Sequence, residues 1–163
     1  MTINKMKLLA IDPGNIESAY VIMDKDYKPV MHEKVSNETL LKHIQVDFPG
    51  LCLTNIAVEM IASYGMPVGK EVFETCVWIG RFLQAANYIP VKRLIYRKDE
   101  KMNLCHNMKA KDGNIRQALI DRFGPVGIKK DPGFFYGFSK DQWAAMAVGV
   151  TYLDGVKHEI KES

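Results

Sequence analysis

Lys7-Leu8-Leu9-Ala10-Ile11-Asp12-Pro13-Gly14 sets the frame for the rest of the chain. Four consecutive apolar residues bounded by a turn read as a buried strand, because a half-exposed strand would alternate. Pro13-Gly14 then turns the chain away. Asp12 is left at the mouth of a strand predicted to be central, where an acid is costly unless a cation or a donor meets it. Outward from this point, Ala19-Tyr20-Val21-Ile22-Met23 is a second strand, Asp24-Lys25-Asp26 a polar turn, and Pro29 to Val35 a third strand. Three strands on short turns predict an antiparallel meander.

Ser36 or Asn37 can cap a helix running to about Phe48, stopped by Pro49-Gly50. Asn55 to Glu59 is a fourth strand and Ser63 to Gly69 a flexible loop. Glu71 to about Asn87 is a long helix with Phe73, Cys76, Val77, Gly80 and Leu83 at helical spacing. Val91 to Ile95 is a fifth strand, and Asp99 to Cys105 a short helix. Asp112 or Gly113 opens a helix to Phe123, and Ser139-x-x-Gln142 is a capping box for a last helix ending near Leu153. A meander followed by alternating strands and helices predicts an α/β fold with a mixed five-stranded sheet flanked by helices.

At 163 residues with no repeat or linker, residues 1–163 read as a single domain. Hydrophobic residues at 47% and charged residues at 25% exclude a disordered or fibrous chain. Cys52, Cys76 and Cys105 cannot all pair and form no Cys-x-x-Cys, which argues against a disulfide framework and a cysteine zinc site. Met1 to Lys7 runs into only four apolar residues, too few for a signal peptide, and no stretch approaches ~18 apolar residues. The expectation is a soluble cytoplasmic protein in a reducing compartment, with no membrane partner.

Charge is uneven. Residues 92–130 hold 11 Lys and Arg against 4 Asp and Glu, while the whole chain stands at +3. A basic third on a near-neutral protein is an electrostatic footprint for a polyanion. Three acids stand at element ends: Asp12, Glu59 at the end of the fourth strand, and Asp141 at the start of the last helix. Each alone has an ordinary explanation, as a turn aspartate, an edge glutamate and a first-turn helix acid. Together they are hard oxygen ligands without a His or Cys cluster, which suits Mg²⁺ or Mn²⁺ rather than zinc. Carboxylates beside a basic surface fit two-metal phosphodiester hydrolysis.

Ala10-Ile11-Asp12-Pro13-Gly14 resembles the opening motif of the RuvC-type Holliday-junction resolvases, members of the RNase H-like superfamily. Ala57-Val58-Glu59, with its loop and long helix, resembles their second acidic motif. Asp141-Gln142-Trp143-Ala144-Ala145-Met146-Ala147-Val148 resembles their C-terminal acidic helix. The segment from Lys109 to Gly124 is similar to the resolvases carried by bacteriophages. One position departs from the pattern. The family's last helix carries a second aspartate three residues after the first, and Ala144 stands there. Asp112, at a helix start in the basic segment, is the nearest substitute, with a plain N-cap as its other reading.

The resemblance implies an RNase H-like homodimer that cuts branched DNA, four-way junctions above all. It implies Mg²⁺ as cofactor, with Mn²⁺ able to substitute. Asp12, Glu59 and Asp141 would be catalytic metal ligands, Asp112 a fourth, and Lys111 a catalytic cation on the phosphate. Lys109, Lys111, Arg116 and Tyr64 would contact DNA, Tyr64 as an aromatic probing the junction centre. Phe134, Phe135, Tyr136 and Phe138 are expected to pack under the last helix, and Cys105-His106 to be structural. Two other classes compete. One is a DNA-structure-binding protein on this fold with weak or lost catalysis, motivated by Ala144. The other is a phosphotransferase of the actin and sugar-kinase type, opposed by the short chain and the lack of a second Gly-rich phosphate loop.

Overall fold

The computed structural model describes residues 5–162; Met1 to Asn4, on which part of the N-terminal reading rests, lie outside them. The meander is β1 (Lys7–Asp12), β2 (Glu17–Asp24) and β3 (Pro29–Ser36), antiparallel throughout. β4 (Asn55–Met60) lies parallel to β1 on its other side, and β5 (Val91–Tyr96) parallel to β4. The sheet order is β3-β2-β1-β4-β5, so β1 is central, as expected, with an antiparallel neighbour on one side and a parallel one on the other.

Among the described residues five α-helices cover the sheet: α1 (Asn37–Lys42), α2 (Lys70–Ala85), α3 (Arg97–Cys105), α4 (Asp112–Phe123) and α5 (Lys140–Glu162). Successive strand residues point to opposite faces, and both faces are buried. Leu8, Ala10, Ala19, Val21, Met23 and Ala57 share a core with α4 and α5. Leu9, Ile11, Tyr20, Ile22, Ile56 and Val58 share another with α1 and α2. Burial on both faces is why the first strand shows no alternation. The two cores are of different texture. Small residues on the α5 side let that helix sit close: a Cβ on Gly149 would come within 2.2 Å of Met23 Cε and 3.1 Å of Ala10 Cβ.

Four elements differ from expectation. The helix read as ending at Phe48 is α1 followed by a π-turn (His43–Asp47) and a 3₁₀ turn (Pro49–Leu51). α3 begins at Arg97, two residues earlier than read, which brings Arg97 into its first turn. α5 runs to Glu162 rather than Leu153, because Val156 still packs against the core after the continuous apolar run ends. A two-residue hairpin, β6 (Gly127–Ile128) with β7 (Asp131–Pro132), precedes α5. Among the described residues no helix is long and apolar enough to cross a membrane.

Candidate active site

Asp12 is the last residue of β1, and its side chain follows the parity of Leu8 and Ala10 toward α5. The turn after it is locked. The Gly14 N–H donates to Ser18 Oγ at 3.2 Å, and Asn37 Nδ2 donates to the Gly14 carbonyl at 2.9 Å. Ser18 Oγ in turn donates to Asn37 Oδ1 at 2.6 Å, with both side chains buried. A Cβ at Gly14 would stand 2.3 Å from the Glu17 carbonyl oxygen, so only glycine passes there. Of the two residues read as helix caps, Ser36 does the capping, accepting the Thr39 N–H at 3.2 Å. Asn37 serves the Asp12 turn instead.

Glu59 comes from β4. Ile11 pairs with Val58 across the parallel ladder, so Asp12 and Glu59 are next neighbours, and Glu59 shares the parity of Ala57 toward α5. Asp141 is in the first turn of α5. Gln142 ties that turn down: its Oε1 accepts the Ser139 N–H at 3.3 Å and meets His32 Nδ1 of β3 at 2.6 Å. Asp12, Glu59 and Asp141 thus meet at one end of the sheet and line one cavity of about 500 Å³. Asp112, Arg97, Arg116, Lys140 and Ala144 line it too.

The cavity has an excess of buried negative charge. Asp12 is pushed up to about 8, first by burial, then by Glu59 and Asp141, against a smaller downward pull from Arg97. Glu59 also rises, mainly through burial, and the two carboxyls are in hydrogen-bond contact when one carries a proton. Glu100 of α3 lies behind them with its side chain at 0% exposure. Burial first, and the Glu59 charge second, raise it to about 9. One of its oxygens meets Arg97 Nη1 at 2.7 Å and the other has no hydrogen-bond partner.

The remaining sequence candidates are placed as follows. Asp112 is the first residue of α4 rather than its N-cap; it is exposed and pairs with Arg97. Lys111 holds the cap position, its N–H donating to Asn114 Oδ1 at 2.9 Å. Lys109 and Lys111 are exposed and lie outside the cavity lining, whereas Arg116 is in it, 4.8 Å above the Trp143 ring. Tyr64 is exposed at φ +49°, in a surface depression with Arg97, Lys98, Lys101 and Met108. Of the aromatic cluster, Phe134, Phe135 and Phe138 pack against the core as expected and Tyr136 does not. Phe135 is fully buried, with ring centroids 4.6 Å from Trp143 and 5.3 Å from Phe138, while Tyr136 faces out. His106 is the left-handed cap of α3.

Lys34, Arg97, Glu100 and Lys140 were not singled out by the sequence. Arg97 had a signal: it directly follows β5, and Glu59 lies near the end of β4 at the same end of the parallel ladder. An all-oxygen donor set suits a hard divalent cation, and the upward shift of Asp12 and Glu59 marks the counter-charge the pair lacks. As placed, no three His, Cys, Asp or Glu side chains among the described residues stand close enough to hold one ion. Asp141 is drawn to Lys34 at 2.6 Å and Asp112 to Arg97. The donor types fit, but as placed the two aspartates are engaged by cations of the chain.

No family model and no curated protein matches the chain. Solved structures do. The structure of Thermus thermophilus RuvC superposes with a TM-score of 0.74 at 14% identity, over 94% of this chain and 97% of that one. T. thermophilus RuvC in complex with a Holliday junction substrate gives 0.71 at 14% identity, over 94% and 96%. The strand order, the helices on both faces and the near-complete mutual coverage lead to one conclusion: this chain has the fold of RuvC.

Proposed function

We propose that this chain is a RuvC-type resolvase, a Mg²⁺-dependent endodeoxyribonuclease acting on branched DNA, with the four-way junction as its substrate. One observation carries the reading. On a RuvC fold, acids from β1, β4 and α5 line a single cavity together with Arg97, Arg116 and Lys140. Asp12, Glu59 and Asp141 would hold Mg²⁺ or Mn²⁺, and Asp112 is the fourth carboxylate available. Bound there, the metal supplies Lewis acidity and a more acidic water for phosphodiester hydrolysis. The chain's own part is charge and position. Arg97, Arg116 and Lys140 would offer donors to the scissile phosphate, where negative charge develops. Lys109 and Lys111, exposed at the entry to α4, would grip the flanking backbone, and Tyr64 would stack near the branch point. The Lys109 to Gly124 segment supports a phage-type member.

A four-way junction has two strands to cut, which a two-fold dimer with two sites would match. On α2, Phe73 and Val77 lie one turn apart and expose more than half of their surface, with open space at Gly80. That apolar stripe supports a homodimer.

Cleavage assays on four-way, three-way and linear DNA test the reading. The expected result is cutting of the junction in Mg²⁺ or Mn²⁺ only. Glu59→Gln should lower the rate by orders of magnitude while leaving junction binding intact. Near-normal cleavage by Glu59→Gln would remove Glu59 from the site. Ala144 in the cavity lining, one turn from Asp141, favours a second reading: a junction-binding protein with little catalysis. Tight junction binding without cleavage in either metal would establish it.

A further inference from the structure

Lys34 belongs to no motif, yet the ladder delivers it to the site. Asp12 pairs with Ala19, and Ala19 pairs with Lys34, so the three stand in one row across β1, β2 and β3 and on one face. Ala19 offers only a methyl group, leaving the lysine stem free to pass over it toward α5. The Lys34 Nζ stands 2.6 Å from Asp141 Oδ2 and 3.4 Å from Glu17 Oε2.

We propose that Lys34 is an exchange cation. Its ammonium holds Asp141 in the metal-free chain, and a divalent ion takes Asp141 over by displacing it. The proposal rests on the divalent-metal reading of the cavity. Three observations support it. Asp141 is the acid that must join Asp12 and Glu59, and Lys34 is what it meets instead. Lys34 is easily displaced: its side chain is 39% exposed, on an edge strand, with Glu17 as a second partner. Its ammonium is a compact, well-hydrated charge on a flexible stem, ready to return to water. Arg97 is the contrast. Its guanidinium is held by fully buried Glu100 and is itself only 24% exposed, while its other partner, Asp112, has a side chain 79% exposed.

Calorimetric titration of Mn²⁺ into the DNA-free protein tests this, for wild type, Lys34→Met and Lys140→Met. Lys140→Met removes an equal charge from the cavity that Asp12, Glu59 and Asp141 line, and leaves the Lys34–Asp141 pair in place. Lys34→Met should tighten Mn²⁺ by about two- to fivefold, the range of a partly exposed ion pair. Lys140→Met should tighten it distinctly less. Equal tightening in both would mean that Lys34 acts only through long-range charge, and would overturn the proposal. So would binding in Lys34→Met no tighter than wild type. Side-chain NMR of Lys34 gives an independent readout. Its ammonium signals should move toward those of a free lysine over the Mg²⁺ range that saturates the site, and fixed signals at saturation would refute displacement. If no variant takes up a divalent ion, the metal reading fails together with the proposal. If wild type binds Mn²⁺ and the Lys34 tests fail, only the proposal falls.

Discussion

Asp12 and Glu59 place two carboxyls side by side in a half-buried cavity, and the consequence is thermodynamic. With Asp12 raised to about 8 and Glu100 to about 9, the folded, metal-free chain keeps protons that the unfolded chain has already released above about pH 4. Fewer protons on the unfolded state mean that stability falls as pH rises, through the window from about 4 to about 9. Denaturant unfolding in EDTA should show lower stability at pH 8.5 than at pH 5.5, by an amount on the order of a few kcal/mol at most. Mg²⁺ should shrink the difference, since the ion supplies the missing counter-charge. A metal-free profile that rises over this range would contradict the placement of these acids.

At the scale of elements, two glycines of α5 should respond in opposite ways. Gly149 faces Met23 and Ala10 at contact distance, so Gly149→Val overpacks the α5 core and should cost about 1–3 kcal/mol. Gly155 is exposed, with open space at its Cβ, so Gly155→Ala should gain up to about 1 kcal/mol from helix propensity. Thermal melts of the two variants, one falling and one rising in Tm, check the close approach of α5 to the sheet. The sequence made much of this architecture legible. Apolar runs and turn residues marked β1 to β5 and the longer helices, and Asp12, Glu59 and Asp141 stood out as acids at their ends. Lys34 did not, because a lysine on an edge strand reads as a solvated surface until two ladder registers are known. Glu100 did not, because a charged residue in the polar run Arg97 to Lys101 gives no sign of full burial. The last turns of α5 were hidden for a similar reason: Asp154, Gly155, Lys157 and His158 dissolve the apolar pattern while the helix continues.

For the whole molecule, the basic stretch from residue 92 to 130 folds into β5, α3, α4, β6 and their connecting turns, and contributes Arg97 and Arg116 to the cavity wall. If roughly 4–6 of its cations neutralise phosphates, log K for junction binding should fall against log salt with a slope of about −4 to −5. Fluorescence anisotropy across salt concentrations measures it, and a slope near zero would turn this face away from DNA. α5 spans the same body. It is 23 residues long, touches all five strands of the large sheet, and carries Asp141 in its first turn. The position of that carboxylate relative to Asp12 is therefore a sum over every contact under the helix, and small errors anywhere in the core accumulate at its tip. Substitutions far from the cavity, too mild to register in a melting curve, should still shift the two acids relative to each other. If the chain cuts DNA as proposed, its rate should gauge core packing more finely than thermal stability does.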